Sequence, residues 1–88
     1  MFKIDHHKLI FIINDQEVGH IEFSQKSGIM SILHTIIKSE YEGLGYASQL
    51  TSEIFRYAQE NHFKIIPLCS YTQSWLKRHP EWQELIYE

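Results

Sequence analysis

Ile29-Met-Ser-Ile-Leu-His-Thr-Ile-Ile37, followed shortly by Glu42-Gly-Leu-Gly-Tyr-Ala47, is the stretch that decides the architecture. Its first part alternates Ile29, Ser31, Leu33, Thr35 and Ile37 on one side with Met30, Ile32, His34 and Ile36 on the other, the two-residue period of a β-strand. Apolar groups on both sides predict a strand inside a sheet rather than at its border. The period then changes. From Leu44 to about Asn61 the apolar residues Leu44, Ala47, Leu50, Ile54, Phe55 and Ala58 recur in steps of three and four, which predicts a helix with one buried face flanked by Tyr57. Two glycines at the junction make a sharp strand-to-helix turn feasible.

Working outward, Lys8–Ile13 is a β-branched run ended by Asn14-Asp15. Glu17–Ser24 alternates Val18, Ile21 and Phe23 with polar neighbours, apart from one irregularity at Gly19. Together they predict a hairpin, and Gln25-Lys-Ser-Gly28 turns the chain into the Ile29–Ile37 strand. Phe2–Ile4 is a further short strand. On the other side, Lys64-Ile-Ile-Pro-Leu-Cys69 predicts a short strand, parallel to Ile29–Ile37 because a helix lies between them. Pro67 has no N–H and restricts the ladder there. A second helix from about Tyr71 to Arg78 stops at His79-Pro80, and Trp82, Leu85, Ile86 and Tyr87 are expected to fold back on the core. The fold class is α/β (α+β), an antiparallel meander followed by strand, helix, strand and helix, in a single domain over 1–88.

Composition narrows the function. The 88 residues carry 8 Lys plus Arg against 11 Asp plus Glu, a net charge of −3, which argues against a nucleic-acid binder. Hydrophobic residues make up 43%, too many for a disordered chain. No apolar run approaches the ~20 residues that cross a bilayer, and no secretory leader pattern opens the sequence, so a cytoplasmic protein without membrane association is expected. Cys69 is the only cysteine and has no intrachain disulfide partner. The six histidines lack the spaced Cys/His pairs of a zinc site, and no metal is expected.

The glycine turn is the densest source of chemistry. Consecutive N–H groups at such a turn, ahead of a helix N-terminus, suit a phosphate, although a plain connecting turn would use glycine too. The turn lacks the Lys-Ser/Thr of a P-loop and the third glycine of a dinucleotide fingerprint. In its context of meander, strand, Gly-x-Gly-x-Ala turn, helix and parallel strand, it resembles the acetyl-CoA-binding core of the GNAT superfamily of N-acetyltransferases. Pro67-Leu-Cys69 and Arg78-His-Pro80 are similar, more specifically, to minimal GNAT-like members, and the likeness runs from about Glu17 to Trp82. The resemblance implies that coenzyme A pyrophosphate is held by the backbone of Gly43, Leu44, Gly45, Tyr46, Ala47 and Ser48. It also implies that the backbone of Thr35, Ile36 and Ile37 pairs with pantetheine, in a cleft that Pro67 helps to splay open.

Two departures from the family pattern stand out. Glu42 occupies a position where the motif has Gln or Arg, and a carboxylate ~6 Å from a phosphate charge costs roughly 3 kcal/mol at an effective dielectric of 20. The chain also lacks the extra helices and strands that build the acceptor site in larger GNAT enzymes, which leaves that site to be completed by a partner protein or a second copy.

By the same resemblance, Cys69 faces the thioester, where a thiolate can accept an acetyl group and pass it on. His34, on the neighbouring strand, is the candidate base, for the thiol or for an amine directly. Each has a plainer reading, Cys69 as a small core residue and His34 as a sheet residue whose face alternation alone does not assign. Tyr71 lies near where the resemblance implies a general acid but reads first as aromatic packing, and Lys77-Arg78-His79 reads as a solvated helix end before a contact for coenzyme phosphates. The implied activity is acetyl transfer from acetyl-CoA to an amine of a small molecule or protein. A CoA-binding regulatory module without turnover, and an interaction domain using the aromatic tail, are the competing readings.

Overall fold

The computed structural model describes residues 1–88. Five strands, β1 (Phe2–Asp5), β2 (Lys8–Ile13), β3 (Gln16–Lys26), β4 (Ile29–Ile37) and β5 (Lys64–Pro67), form one sheet in sequence order. The first four pair antiparallel, and β5 runs parallel to β4 after the crossover helix α1 (Tyr46–Glu60). A second helix, α2 (Ser70–Arg78), is followed by a 3-10 segment at Pro80–Leu85. Ile86 then bridges the free side of β5 at Ile65. Pro67 thus sits at the end of a nearly bordering strand, where its missing N–H leaves no ladder bond unmade.

Both helices and the C-terminal segment pack on one face of the sheet. Leu50, Ile54, Phe55 and Ala58 of α1 are completely buried with Ile21, Met30, Ile32 and Ile65 of the strands. Burial of each large aliphatic or aromatic side chain is worth about 1.5–3 kcal/mol. Phe55 also contacts Trp75 and Trp82, with ring centroids 5.1 and 5.9 Å away, so the aromatic tail joins the same core.

Four details correct the sequence reading. Leu44 does not belong to the helical stripe: the helix starts at Tyr46, and Leu44 is 56% exposed on the turn before it. Cys69 does not end the strand, because β5 stops at Pro67 and Cys69 is the N-cap residue of α2, which starts one residue earlier than expected. Tyr87 is half exposed, whereas Trp82, Leu85 and Ile86 pack on the core.

The fourth correction concerns β4, whose alternation is broken by a bulge. Glu22 pairs with His34 but Phe23 pairs with Ile32, so Leu33 is an extra residue on β4. Met30 and Ile32 face the helices before the bulge, and Thr35 and Ile37 do so after it; His34 and Ile36 therefore turn to the uncovered face. A second bulge leaves Val18 extra on β3, between Glu17 opposite Ile12 and Gly19 opposite Phe11. This is the irregularity signalled at Gly19. A Cβ there would lie 2.6 Å from both the Ile36 carbonyl oxygen and Ile37 Cδ1, so only glycine admits the close approach of β4.

Candidate functional site

The strands β4 and β5 separate after the Ile32–Pro67 pair. The amides of Leu68 and Cys69 both donate to the Ile32 carbonyl, at 3.1 and 3.0 Å, which ends the ladder and turns the chain into α2. Beyond that point Thr35–Ile37 has a strand neighbour only on the β3 side. Two cavities open in the gap.

The first, about 400 Å³, lies on the helix face between the end of β4 and the start of α1. Its wall includes Thr35, Ile37, Gly43, Gly45, Ala47 and Ser48. Gly45 caps the helix with a φ of 84°, and Gly43 has a φ of 79°, the left-handed region where glycine avoids the Cβ penalty. No N–H from Gly43 to Ser48 donates to a backbone carbonyl, and no side chain caps this end; the first amide in the helical ladder is that of Gln49, bonded to the Gly45 carbonyl. These donors and the positive end of the helix dipole make the turn suited to an anion. Ser48 Oγ accepts a 3.0 Å hydrogen bond from Trp75 Nε1, which leaves its own hydrogen free to donate. Tyr46 is fixed between Phe11 and Tyr41, with ring centroids 5.4 and 6.4 Å away. Leu44 and Ile36, expected in the coenzyme site, are not in the wall of this cavity; Ile36 lines the second one. Glu42 is the one charged residue in the wall.

The second cavity, about 440 Å³, opens on the other side of the gap, with His34, Ile36, Leu68 and Cys69 in its wall. Thr35 and Tyr71 line both cavities. Cys69, 8% exposed, lies in the wall of the second cavity only, next to the shared Thr35. Burial pushes its thiol pKa up and is the largest single influence. That effect is outweighed by the Thr35 hydroxyl, the amide and hydroxyl of Thr72 and the amide of Tyr71, which together hold the pKa below its ordinary value. Thr35 Oγ1 is 3.5 Å from Sγ. Thr72 Oγ1 is fully buried without a hydrogen-bond partner and is close enough to Cys69 to be among the groups that lower its pKa.

His34 shares the second cavity with Cys69, but the sulfur's hydrogen-bond partner is Thr35. Sequence reading placed Thr35 for its backbone and missed its hydroxyl, since the bulge that turns it inward has no local signature. It also missed Thr72, for which the spacing of three residues from a helix-capping Cys69 was an available clue, and it favoured packing over a general-acid role for Tyr71, which lines both cavities. No group of three or more His, Cys, Asp or Glu residues is arranged to hold a metal ion.

A five-stranded sheet splayed at a parallel β4–β5 pair, with unpaired amides at the helix that joins them, is the GNAT architecture. Residues 10–85 match the model of the GCN5-related N-acetyl-transferase family, and the chain belongs to that family. Solved structures agree on the fold. A GCN5-like protein from Staphylococcus aureus superposes with a TM-score of 0.77 at 22% identity, covering 99% of this chain and 87% of that one. Ard1 from Thermoplasma volcanium gives 0.61 at 17% identity, over 69% of this chain and 43% of its own. An acetyltransferase from Vibrio fischeri gives 0.57 at 21% identity, over 70% and 59%. No helix is long and apolar enough to cross a membrane.

Proposed function

We propose that the protein is a cytoplasmic N-acetyltransferase that uses acetyl-CoA as donor and an amine as acceptor, with Cys69 as the acetyl relay. The observation that carries this reading is that the two cavities share Thr35 and Tyr71 as walls, the first bringing the free amides of Gly43–Ser48 and the second bringing Cys69. In this reading the amides from Gly43 to Ser48 and the Ser48 hydroxyl hold the pyrophosphate. Pantetheine runs along the open side of Thr35–Ile37 as an added strand, and its thioester reaches Cys69.

The Cys69 thiolate attacks the acetyl carbonyl carbon. A new bond to Sγ forms, the bond to the coenzyme sulfur breaks, and CoA leaves as a thiolate that takes a proton from solvent. The acceptor amine, arriving through the second cavity, then forms its N–C bond to the same carbon. Cys69 leaves again as a thiolate stabilised by Thr35 and Thr72, and the proton lost by the amine passes to His34. The hydroxyls and amides around the cysteine favour its thiolate and so assist the attack.

Incubation with acetyl-CoA and no amine tests this reading. Mass spectrometry should find one added acetyl group, about 42 Da, on the Cys69 peptide, and Cys69→Ala should lack it. Acetyl transfer to amines with Cys69 unlabelled and replaceable would overturn the relay; tight binding of acetyl-CoA without labelling or transfer would make the chain a regulatory CoA-binding module.

A further inference from the structure

From the lining of the second cavity we infer the chemical class of the acceptor: a primary amine on an apolar group, with no anionic group and no second cation. This inference rests on the acetyl-transfer reading of the site and deepens it. The wall contains Leu33, Ile36 and Leu68, the last two 44% and 59% exposed, an unusual cost for aliphatic side chains around a hollow unless something apolar covers them. No Lys, Arg, Asp or Glu lines the cavity. The start of α2 is in the wall, but its Tyr71 and Thr72 amides are turned to Cys69 Sγ. A carboxylate or phosphate on the acceptor would therefore lose water there without a counter-charge, and so would an extra ammonium. One amine is accommodated because it reaches Cys69, with His34 in the same wall to take its proton.

The sign of the rim agrees. Glu22 stands directly across the β3–β4 ladder from His34. His20, across from Ile36, is bracketed by Glu17 at 3.4 Å and Glu22 at 3.3 Å. Lys8 lies one strand further away, opposite Glu22 on β2. The row nearest the cavity therefore carries carboxylates, which favour the approach of a single cation over that of an anion or zwitterion.

The test is amine binding to the free protein, followed by methyl NMR of Leu33, Ile36 and Leu68, with acetyl-CoA binding measured separately by calorimetry. Phenethylamine should shift these methyls saturably. Phenylalanine, which adds a carboxylate, and spermidine, which adds cations, should bind at least about tenfold more weakly. Leu68→Lys, at an exposed position where folding is not at risk, should abolish phenethylamine binding, and Leu68→Ala should weaken it. Equal or tighter binding of phenylalanine or spermidine, absence of shifts with phenethylamine, or indifference to Leu68→Lys would overturn the inference. Failure of acetyl-CoA to bind while phenethylamine still does would remove the transferase reading and leave the amine pocket standing.

Discussion

Thr35 Oγ1 on β4 and Cys69 Sγ at the start of α2 lie 3.5 Å apart across the gap where β4 and β5 separate. The pair links the two halves of the site, because Thr35 reaches the sulfur only through the bulge at Leu33, and Cys69 is there only because β5 stops at Pro67.

This geometry predicts a reactive cysteine. Alkylation of Cys69 by iodoacetamide should rise with pH around a midpoint below that of an ordinary thiol. Thr35→Val removes one donor to the thiolate and should move the midpoint up, with the native fold retained by circular dichroism. The linked stability has a definite sign: a depressed pKa in the folded state contributes stability that is complete above the unfolded thiol's pKa and is lost as pH falls through the folded value. A profile unchanged in Thr35→Val would deny the hydroxyl this role.

Glu42 should oppose the donor. It lines the first cavity beside the free amides, although its exposure to solvent reduces the few kcal/mol expected of an unscreened pair. Glu42→Gln should tighten acetyl-CoA binding by roughly 3- to 10-fold, or about 1 kcal/mol, with the gain shrinking at high salt. Calorimetry at two ionic strengths checks both parts, and equal affinities would place the carboxylate away from the phosphates.

Gly19 should be the costly position to substitute. Gly19→Ala drives a Cβ into the Ile37 side chain, which can turn aside, and into the Ile36 carbonyl, which cannot yield without moving the β4 edge. Overpacking of this kind costs about 1–3 kcal/mol. In a domain of this size it lowers Tm by roughly 4–8 °C per kcal/mol, which thermal denaturation resolves.

Much of this was legible in the sequence, where the physics is local. The meander, α1 and the parallel return follow from period changes at Ile29–Ile37 and Ala47–Ala58 and from turn residues such as Asn14-Asp15 and Gly28. The Gly43–Ser48 turn follows from its glycines. The orientation of the site does not, because a one-residue bulge at Leu33 reverses every side chain after it, and bulges are set by the neighbouring strand. Strict alternation put Thr35 with Ser31 and His34 with Ile32, the reverse of their arrangement. Leu44 misled for a related reason: it holds a helical spacing, but Gly45 in the left-handed region starts the helix after it.

The central claim is that acetyl-CoA lies from the Gly43–Ser48 turn to Cys69. Titration of the labelled protein with acetyl-CoA, followed through its backbone amides, tests that claim most directly. The largest shifts should fall on Gly43–Ser48 and on Cys69–Thr72, with Thr35–Ile37 between them. No saturable shift, or shifts centred on the other hollow of the uncovered face, lined by His7, Lys8 and Glu22, would contradict the account.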